Sequence, residues 1–392
     1  MKIGLVIDDS LDRPDGVQQY VLTIGAWLSG QGHEVHYLTG ETVRTDLPKL
    51  HSLSRNVNVR FNGNGLSIPL PASRRRIAAL LAKERFDVLH VQMPYSPMLA
   101  ARIVNAAPAT TVVMGTFHIL PYSRLVRSAT RLLGRALGRS LKRFDQVFAV
   151  STAARDFAER SFGLTDVDVL PNVVDTGRFA AAAKRGQTDT TADTAAGPAA
   201  EARLLFLGRL VPRKGCMTFL QAVAELHADA GFGWPLKVIV AGKGPLAGEL
   251  KARARSLGIA DITNFTGFVA EEDKPSLLAG ATIAAYPSSG GESFGIVLVE
   301  AMAASTARTG PVVLAARNPG YATVMEPQPG QLFEPLDHHG LAQLMRHFLG
   351  DAQAADAARR WQEMYVRQFD VATVGRRLVA AYSSHLRKRS ES

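Results

Sequence analysis

The sequence has few of the features that mark secreted and membrane-spanning proteins. Cys216 is the single cysteine among 392 residues, which excludes an internal disulfide and indicates a reducing compartment. No apolar run reaches the roughly 20 residues needed to span a bilayer. Residues 1–9 read as a short buried strand and not as a signal peptide. We therefore expect a cytoplasmic protein, and peripheral association with the inner face of the membrane stays open.

Two familiar binding signatures are also missing. The spaced glycines of a dinucleotide-binding loop are absent, and a lone Gly16 before a predicted helix disfavours a nicotinamide cofactor. Asp166 and Asp168 have the Asp-x-Asp spacing of a divalent-ion site, but they begin a strand, whereas ligands of open α/β sheets bind beyond the strands' carboxyl ends. We therefore expect neither a cofactor nor a metal ion.

Basic residues are in excess. The formal net charge is +10 and the isoelectric point is near 9.9, which favours an anionic partner such as nucleic acid, an acidic membrane surface or a phosphorylated substrate. We find no nucleic-acid recognition module and no surface of alternating aromatic and basic residues, so we expect no nucleic-acid partner.

The chain is long enough for two domains, and its 46% of apolar residues can build two cores. Both halves alternate apolar strands with helical segments, which predicts an α/β protein with doubly wound sheets. Residues 180–200 contain almost no bulky apolar side chain, so we predict a flexible linker or surface loop there.

The stretch Gly290–Ala303 carries the strongest chemical signal. Its glycines allow a tight turn and a close approach of the backbone to a ligand. We expect Ser293 to cap a helix whose first amides point outward, where the amides and the helix dipole favour a phosphate. The amides concerned belong to Phe294, Gly295 and Ile296.

Two glutamates, Glu292 and Glu300, lie in this stretch. Eight helical residues rise about 12 Å, which is too far for a glycosidase pair separated by about 5 to 9.5 Å. Glu300 lies on an almost wholly apolar helix and needs a partner, because burying an unpaired carboxylate is costly. A pair of sugar or ribose hydroxyls would satisfy it, and so would a basic side chain in a purely structural helix.

Polar residues also follow predicted strands elsewhere. Arg209 and Lys214 lie on a loop after a buried strand and before a helix, an arrangement that suits a diphosphate. Arg213 between them is predicted to be solvated. His118 ends the predicted strand Thr111–His118, where it could meet a ligand or serve only as a structural residue.

A basic stripe occupies one face of the predicted helix Tyr122–Phe144, with apolar residues on much of the remainder. Such a helix can lie on an anionic membrane, and a solvated helix face is the alternative. The residues of the stripe are Arg124, Arg127, Arg131, Arg135, Arg139 and Lys142.

The paired glutamates with their flanking Gly-Gly and Phe-Gly-Ile-Val-Leu-Val resemble the signature of the family 4 retaining glycosyltransferases. The resemblance covers nearly the whole chain, and the first half is most similar to the phosphatidylinositol mannosyltransferase-type members. It implies the GT-B fold, in which two Rossmann-like domains face each other across a cleft. The expected parts are an acceptor-binding domain (1–178), a linker or loop (179–202), a nucleotide-sugar-binding domain (203–368) and a helix returning to the first domain (369–392).

The resemblance also implies roles for individual residues. Glu292 and His118 are expected to contact the donor sugar, Glu300 the ribose, and Arg209 with Lys214 the diphosphate. Further donor contacts are expected at Gly16, Val269, Ser293, Phe294, Gly295 and Ile296.

The predicted function is retaining transfer of a hexose, of mannose or glucose type, from a nucleotide-diphosphate sugar to an acceptor hydroxyl. The acceptor is open, and a membrane lipid or a cell-envelope glycan precursor would fit. Two alternatives remain: a non-hydrolysing nucleotide-sugar epimerase of the same fold, and a basic nucleic-acid-binding protein.

Overall fold

The computed structural model describes residues 1–12, 15–61, 64–94, 96–119, 130, 133–189, 201–229 and 233–391, with backbone only at 58–61, 64–68 and 186–189. These residues form two compact units. Unit 1 combines Met1–Val173 with Val371–Ser392, and unit 2 is Val174–Asp370.

Unit 1 is built on a seven-stranded sheet whose described pairings are all parallel, in the order β3-β2-β1-β6-β7-β8-β9. Its inner strands are almost continuously buried and mainly apolar, as expected where helices cover both faces of a parallel sheet. A separate antiparallel pair joins β4 to β5. The strands are β1 (Lys2–Ile7), β2 (Glu34–Thr39), β3 (Leu50–Ser52), β4 (Asn56–Phe61), β5 (Asn64–Pro69), β6 (Val88–Gln92), β7 (Val112–Phe117), β8 (Gln146–Ala149) and β9 (Asp168–Val169).

The described helices of unit 1 connect these strands, and the last helix of the chain completes the unit. Val374, Leu378 and Tyr382 of that last helix are buried in the same core as β1. Gly375 permits the close packing, because a Cβ atom there would lie 2.5 Å from the ring of Trp27. The helices are α1 (Gly16–Gly30), α2 (Arg74–Glu84), α3 (Ala100–Ala106), α4 (Gly138–Leu141), α5 (Thr152–Phe162) and α14 (Val371–Ser390).

Unit 2 has a six-stranded sheet with the same architecture. Its described pairings are all parallel, in the order β12-β11-β10-β13-β14-β15. The strands are β10 (Ala202–Leu207), β11 (Leu236–Ala241), β12 (Thr263–Gly267), β13 (Ile283–Tyr286), β14 (Val312–Ala316) and β15 (Leu332–Phe333).

Helices alternate with the strands of unit 2, and single 3-10 turns occur at Pro212–Lys214, Pro329–Gln331 and Val366–Phe369. The α-helices are α6 (Thr176–Asp189), α7 (Cys216–Ala228), α8 (Ala247–Ser256), α9 (Lys274–Ala279), α10 (Ile296–Ala303), α11 (Pro319–Met325), α12 (His338–Gly350) and α13 (Ala352–Tyr365). Among the described residues, every helix is too short or too polar to cross a bilayer.

Helix α6 corrects the prediction of a linker at 179–202. Phe179, Ala182 and Ala183 of this helix are buried, although the sequence there has few bulky apolar side chains. Alanine has the highest helix propensity and lets a helix approach its neighbours closely. A small-residue stretch can therefore be a packed helix, and residues 190–200 lie outside the described part of the chain.

Each sheet has one point where the strand order reverses, between β1 and β6 in unit 1 and between β10 and β13 in unit 2. Loops leave the two strands in opposite directions there, which opens a crevice at the carboxyl ends. The polar residues singled out in the sequence follow strands that flank or neighbour these points.

Candidate active site

The loops after β10 and β13 meet at the reversal point of unit 2. The Arg213 carbonyl accepts hydrogen bonds from the Ser289 amide at 2.8 Å and from Ser288 Oγ at 3.0 Å. Gly215 has φ +73°, and a Cβ atom there would lie 1.9 Å from the Pro287 carbonyl oxygen. Only glycine fits this contact, which fixes the loop carrying the cations against the loop carrying Glu292.

Glu292 is the centre of a charged cluster between these loops. Its Oε1 lies 2.6 Å from Arg213 Nη1 and 2.9 Å from Lys214 Nζ, and it accepts a hydrogen bond from Ser288 Oγ at 2.9 Å. Burial alone would raise the pKa of Glu292, but Lys214 and Arg213 hold that pKa below its usual value. Burial lowers the pKa of Lys214, and Glu292 opposes that shift.

The pairing of Arg213 corrects the prediction that it is solvated. The 3-10 turn Pro212–Lys214 places both basic side chains of the doublet within reach of Glu292, and the side chain of Arg213 is only 24% exposed. Arg209 directly follows Gly208 after β10, and its side chain is exposed. It acts electrostatically on Lys214, lowering the pKa of that lysine.

The helix after Glu292 begins later than predicted. Gly295, and not Ser293, is the residue before α10, and the structure gives the helix no side-chain cap. Gly295 has φ +103°, and a Cβ atom there would lie 2.6 Å from the ring of Tyr321. Since Leu298 N already donates to the Gly295 carbonyl at 2.9 Å, the first-turn amides that remain for an anion are those of Ile296 and Val297. The half-buried Ser293 therefore has no capping role.

Phe294, predicted as a donor contact, is buried. Its ring packs edge-on against that of Phe369, with centroids 5.5 Å apart. Its side chain therefore anchors the turn before α10.

Glu300 is buried on α10, as its apolar surroundings in the sequence predict, and is 4% exposed. Its Oε1 lies 3.5 Å from Lys274 Nζ, and Lys274 also contacts Glu271 Oε1 at 2.7 Å. Burial raises the pKa of Glu300, and Lys274 opposes that shift. Lys274 could not be singled out from the sequence, because it stands in an ordinary run of charged residues at the start of a short helix.

Two buried oxygens near this glutamate have no hydrogen-bond partner among the described residues. They are Glu300 Oε2 and the hydroxyl of Tyr286, the last residue of β13. Burial and the nearby Glu300 raise the pKa of Tyr286 far above its usual value. A buried polar atom without a partner costs free energy, so both oxygens are exceptions to the usual pairing of buried polar groups.

Val269 follows β12 at its carboxyl end and is half-buried. Its neighbour Phe268 is 54% exposed, with Lys243 Nζ 5.6 Å from the ring centroid. The predicted donor contact at Val269 therefore lies beside an exposed aromatic ring at the same edge of the sheet.

In unit 1, His118 directly follows β7, as predicted. Its Nε2 lies 2.7 Å from Gln92 Oε1, and its ring contacts that of Tyr20 with centroids 4.9 Å apart. Burial lowers the pKa of His118 to about 3, and Asn172 opposes that shift. The imidazole is therefore neutral at pH 7, with Nε2–H assigned as the donor to Gln92.

Gly16, the remaining predicted donor contact, is the first residue of α1 and is exposed. Asp15 precedes it with extended backbone and makes no side-chain capping bond. The amides at this helix start are therefore not occupied by the side chain of Asp15.

The predicted basic stripe is described only in part. Arg124, Arg127 and Arg131 lie outside the described residues. Arg135, Arg139 and Lys142 are exposed, whereas Leu137 and Leu141 are buried. Residues 133–136 and 138–141 are helical with a turn at 137, so the described part is amphipathic but interrupted.

Comparison with protein families identifies both halves of the chain. Residues 14–178 match the family model described as Glycosyltransferase Family 4. Residues 192–364 match the model described as Glycosyl transferases group 1.

Curated relatives extend over the whole chain. The phosphatidyl-myo-inositol mannosyltransferase of Mycolicibacterium smegmatis is 32% identical over 98% of this chain and 94% of its own length. The Mycobacterium tuberculosis protein of the same name (strain H37Rv) is 33% identical over 78% of this chain and 76% of its own. The 2-deoxystreptamine glucosyltransferase of Streptomyces kanamyceticus is 30% identical over 74% and 75%.

Solved structures share the fold. Sucrose-phosphate synthase from Thermosynechococcus elongatus has a TM-score of 0.74 at 19% identity, covering 99% of this chain and 100% of that one. HepE from Anabaena, solved in complex with UDP, has a TM-score of 0.70 at 19% identity, covering 98% and 100%. These findings favour glycosyl transfer over the epimerase and nucleic-acid alternatives and confirm the GT-B fold: the chain is a family 4 glycosyltransferase.

Proposed function

We propose that this enzyme transfers a hexose, with mannose as the first choice, from a nucleotide-diphosphate sugar to a lipid hydroxyl, with retention at the anomeric carbon. The observation that carries the proposal is the cluster of Arg213, Lys214 and Glu292 beside the start of α10. The names of the curated relatives over the whole chain support mannose and a phosphatidyl-myo-inositol acceptor.

The first requirement of the reaction is stabilisation of the leaving nucleotide diphosphate, which gains negative charge as the glycosidic bond breaks. Arg209 and Lys214 supply positive charge beyond β10, and the amides of Ile296 and Val297 add two donors at a helix start. Preorganised groups of this kind stabilise developing charge without reorganising. In this proposal they neutralise the diphosphate and no metal ion is required.

The second step is to hold the sugar. The three bonds described for Glu292 all use Oε1, and the proposal assigns Oε2 to the sugar hydroxyls. Because its pKa is held low, the carboxylate stays ionised and acts as an acceptor. His118 is assigned to the sugar as well, and as a neutral imidazole it provides a hydrogen bond without a full charge.

The nucleoside is assigned to Glu300 and its surroundings. Glu300 Oε2 and the Tyr286 hydroxyl are buried and have no partner among the described residues, so two vicinal ribose hydroxyls would satisfy them. The proposal gives Gly16 and Val269 backbone contacts to the donor. The base, guanine or uracil, is left to the experiment.

An anionic membrane surface is the proposed place of action, reached from the cytoplasm. Arg135, Arg139 and Lys142 are exposed on one side of buried leucines, and Arg74, Arg75 and Arg76 are exposed on α2. Each basic residue near an acidic bilayer contributes about 1 kcal/mol, which would bring the enzyme to a lipid acceptor. No nucleic acid is involved in this proposal.

The test combines binding and turnover. The melting temperature is measured with GDP, UDP and their mannose and glucose conjugates, because a ligand at 100 times its Kd stabilises by about 2.7 kcal/mol. The best donor is then incubated with vesicles containing phosphatidylinositol, and the product's anomeric configuration is read by NMR.

Stabilisation by one nucleotide and an α-linked mannolipid from an α-linked donor are expected. An inverted product, or donor consumption to a free epimer without acceptor, would contradict the proposal.

A further inference from the structure

A cluster of imidazole and carboxylate groups occurs in unit 1 around strands β2 and β3, the first two strands in the order of the sheet. His118 lies elsewhere in the sheet, after β7. One ligand atom from each of His36, His51 and Glu84 lies within 4.8 Å of the other two. They come from β2, from β3 and from the last residue of α2. Three separate elements thus bring two histidines and a glutamate together.

The register of the sheet explains this convergence. Strands β2 and β3 are parallel, and Leu38 pairs with His51. Side chains alternate along a strand, so His36 lies on the same face as Leu38 and therefore on the same face as His51. The two imidazole rings are stacked, with centroids 5.2 Å apart and an interplanar angle of 10°.

The described contacts place the ring of His36 between an imidazole and a carboxylate. His36 Nδ1 lies 2.9 Å from His51 Nε2, and on its other side His36 Nε2 lies 3.0 Å from Glu34 Oε1. A carboxylate on the second nitrogen fixes Nε2–H as the tautomer and leaves the Nδ1 lone pair facing His51. Metal-binding histidines characteristically have such a carboxylate partner.

We propose that one imidazole nitrogen of His36, one of His51 and a Glu84 oxygen bind one divalent cation of the zinc class. The described approach of Glu84 to His36 joins Oε2 to Nε2 at 3.9 Å. Two imidazole nitrogens and one carboxylate are a donor set that suits Zn²⁺ better than Mg²⁺ or Ca²⁺, which prefer oxygen. Water completes the tetrahedron. Binding needs His51 as its Nδ1–H tautomer, so that both facing nitrogens offer lone pairs.

The cation competes with two lysines for Glu84. Lys83 Nζ lies 3.7 Å from Glu84 Oε1 and is 81% exposed, and Lys2 is the less exposed of the two. Its Nζ lies 3.2 Å from Glu84 Oε2 and 3.3 Å from Glu34 Oε1, and its side chain is 26% exposed. When Glu84 turns to the cation, Lys2 retains Glu34, which Lys49 also contacts at 2.6 Å. The site ties β2, β3 and α2 together and is separate from the donor chemistry.

The experiment uses the full-length chain with ZnCl₂ alone as the probe. A second group, Glu225, His338 and His339, could also bind metal in unit 2, so the parent carries His339→Ala. Equilibrium dialysis and the visible absorption of bound Co²⁺ are measured for the parent and after adding His51→Ala or Glu84→Gln. His51 is chosen over the buried His36 because it is partly exposed, and circular dichroism checks folding of each protein.

We expect one equivalent of Zn²⁺ in the parent, a higher melting temperature that a chelator reverses, and a tetrahedral Co²⁺ spectrum. Adding His51→Ala is expected to weaken binding by at least tenfold, and Glu84→Gln by less. The proposal would be overturned if less than one equivalent of Zn²⁺ were bound at a Zn²⁺ concentration 100 times the micromolar protein concentration. Full binding of Zn²⁺ by a folded His51→Ala protein would overturn it as well.

Discussion

The carboxyl edges of the two sheets have the same architecture and opposite chemistry. In unit 1 the edge carries neutral and acidic groups. His118 has a pKa of about 3, and burial raises the pKa of Asp8 to about 6. Burial opposes ionisation of Asp12 as well, but hydrogen bonds from Ser10 and Thr42 lower its pKa. In unit 2 the edge carries an ionised Glu292 between Arg213 and Lys214. The difference follows from the partners, since Asp8 receives backbone amides whereas Glu292 receives two cations.

This contrast separates the role of the fold from that of the side chains. A reversal of strand order provides a polar crevice in both units, but the balance of charge decides which part of a donor each crevice suits. A cationic edge suits a diphosphate, and an edge of neutral and acidic groups suits hydroxyl donors. The following changes are designed to remove or exaggerate that difference.

The largest effect is expected from Lys214→Ala, which leaves Glu292 with one cation. We expect kcat to fall by on the order of 10² to 10³ because a preorganised charge for the leaving group is lost. The matched control is Lys237→Ala, which removes a lysine of β11 that is 48% exposed. Steady-state kinetics with an unchanged circular dichroism spectrum would check this, and near-normal turnover by the Lys214 variant would refute the charge assignment.

Asp8→Asn should alter how stability depends on pH. A folded-state pKa of about 6 against an ordinary 3.8 means that the folded protein binds the proton more tightly. The contribution of Asp8 to the free energy of unfolding is fully present below pH 3.8. It is lost as the pH rises through 6, which lowers the free energy of unfolding by about 3 kcal/mol. Between pH 4 and 7, the free energy of unfolding of the variant should therefore rise relative to that of the wild type, as measured by urea unfolding. Parallel curves for the two proteins would show that Asp8 titrates normally.

Glu300→Gln should weaken nucleotide binding. A hydrogen bond to a charged group is worth about 1.5–3 kcal/mol, so we expect a loss of roughly ten- to hundredfold in affinity for the preferred nucleotide. Glu271→Gln is the control, because Glu271 contacts the same Lys274 but is 32% exposed. Calorimetric titration with GDP and UDP measures the affinity of each variant. Equal losses of affinity in the two variants would mean that the effect arises from Lys274 and not from a contact of Glu300 with the ribose.

Arg213→Gln should have the smallest effect. Lys214 still compensates Glu292, and the Arg213 side chain is 24% exposed, so KM for the donor should rise by no more than about tenfold, or 1.4 kcal/mol. A loss as large as that of Lys214→Ala would mean that Arg213, and not Lys214, provides the main charge.

Much of this contrast could be predicted from the sequence, because it depends on short-range patterns. The strand Lys2–Ile7, the position of His118 after β7 and the burial of Glu300 follow from apolar runs and their ends. The pairing of Arg213 could not be predicted, since a single 3-10 turn decides which way the Arg-Lys doublet points. Lys274 and Tyr286 were missed because their proximity to Glu300 depends on tertiary packing alone.

Two errors have a common cause, which is that small residues leave weak signals. Ser293 has the sequence of a capping residue, but the left-handed conformation of Gly295 delays the helix by two residues. The alanines of α6 suggested a chain without a core, yet they pack because they are small. The predicted roles of the site residues in donor binding stay predictions until the variants above are measured.

The last helix has a consequence for how the protein acquires its structure. Tyr382 donates to or accepts from His90 Nδ1 at 2.7 Å deep in the first sheet's core, so residues 1–173 contain a buried imidazole whose partner is synthesised more than 200 residues later. On a ribosome, unit 2 is complete before unit 1 can be closed. The apolar face of residues 1–173 that the last helix covers therefore stays exposed until that helix has been synthesised. A shortened protein that ends before Val371 should be retained by chaperones or degraded.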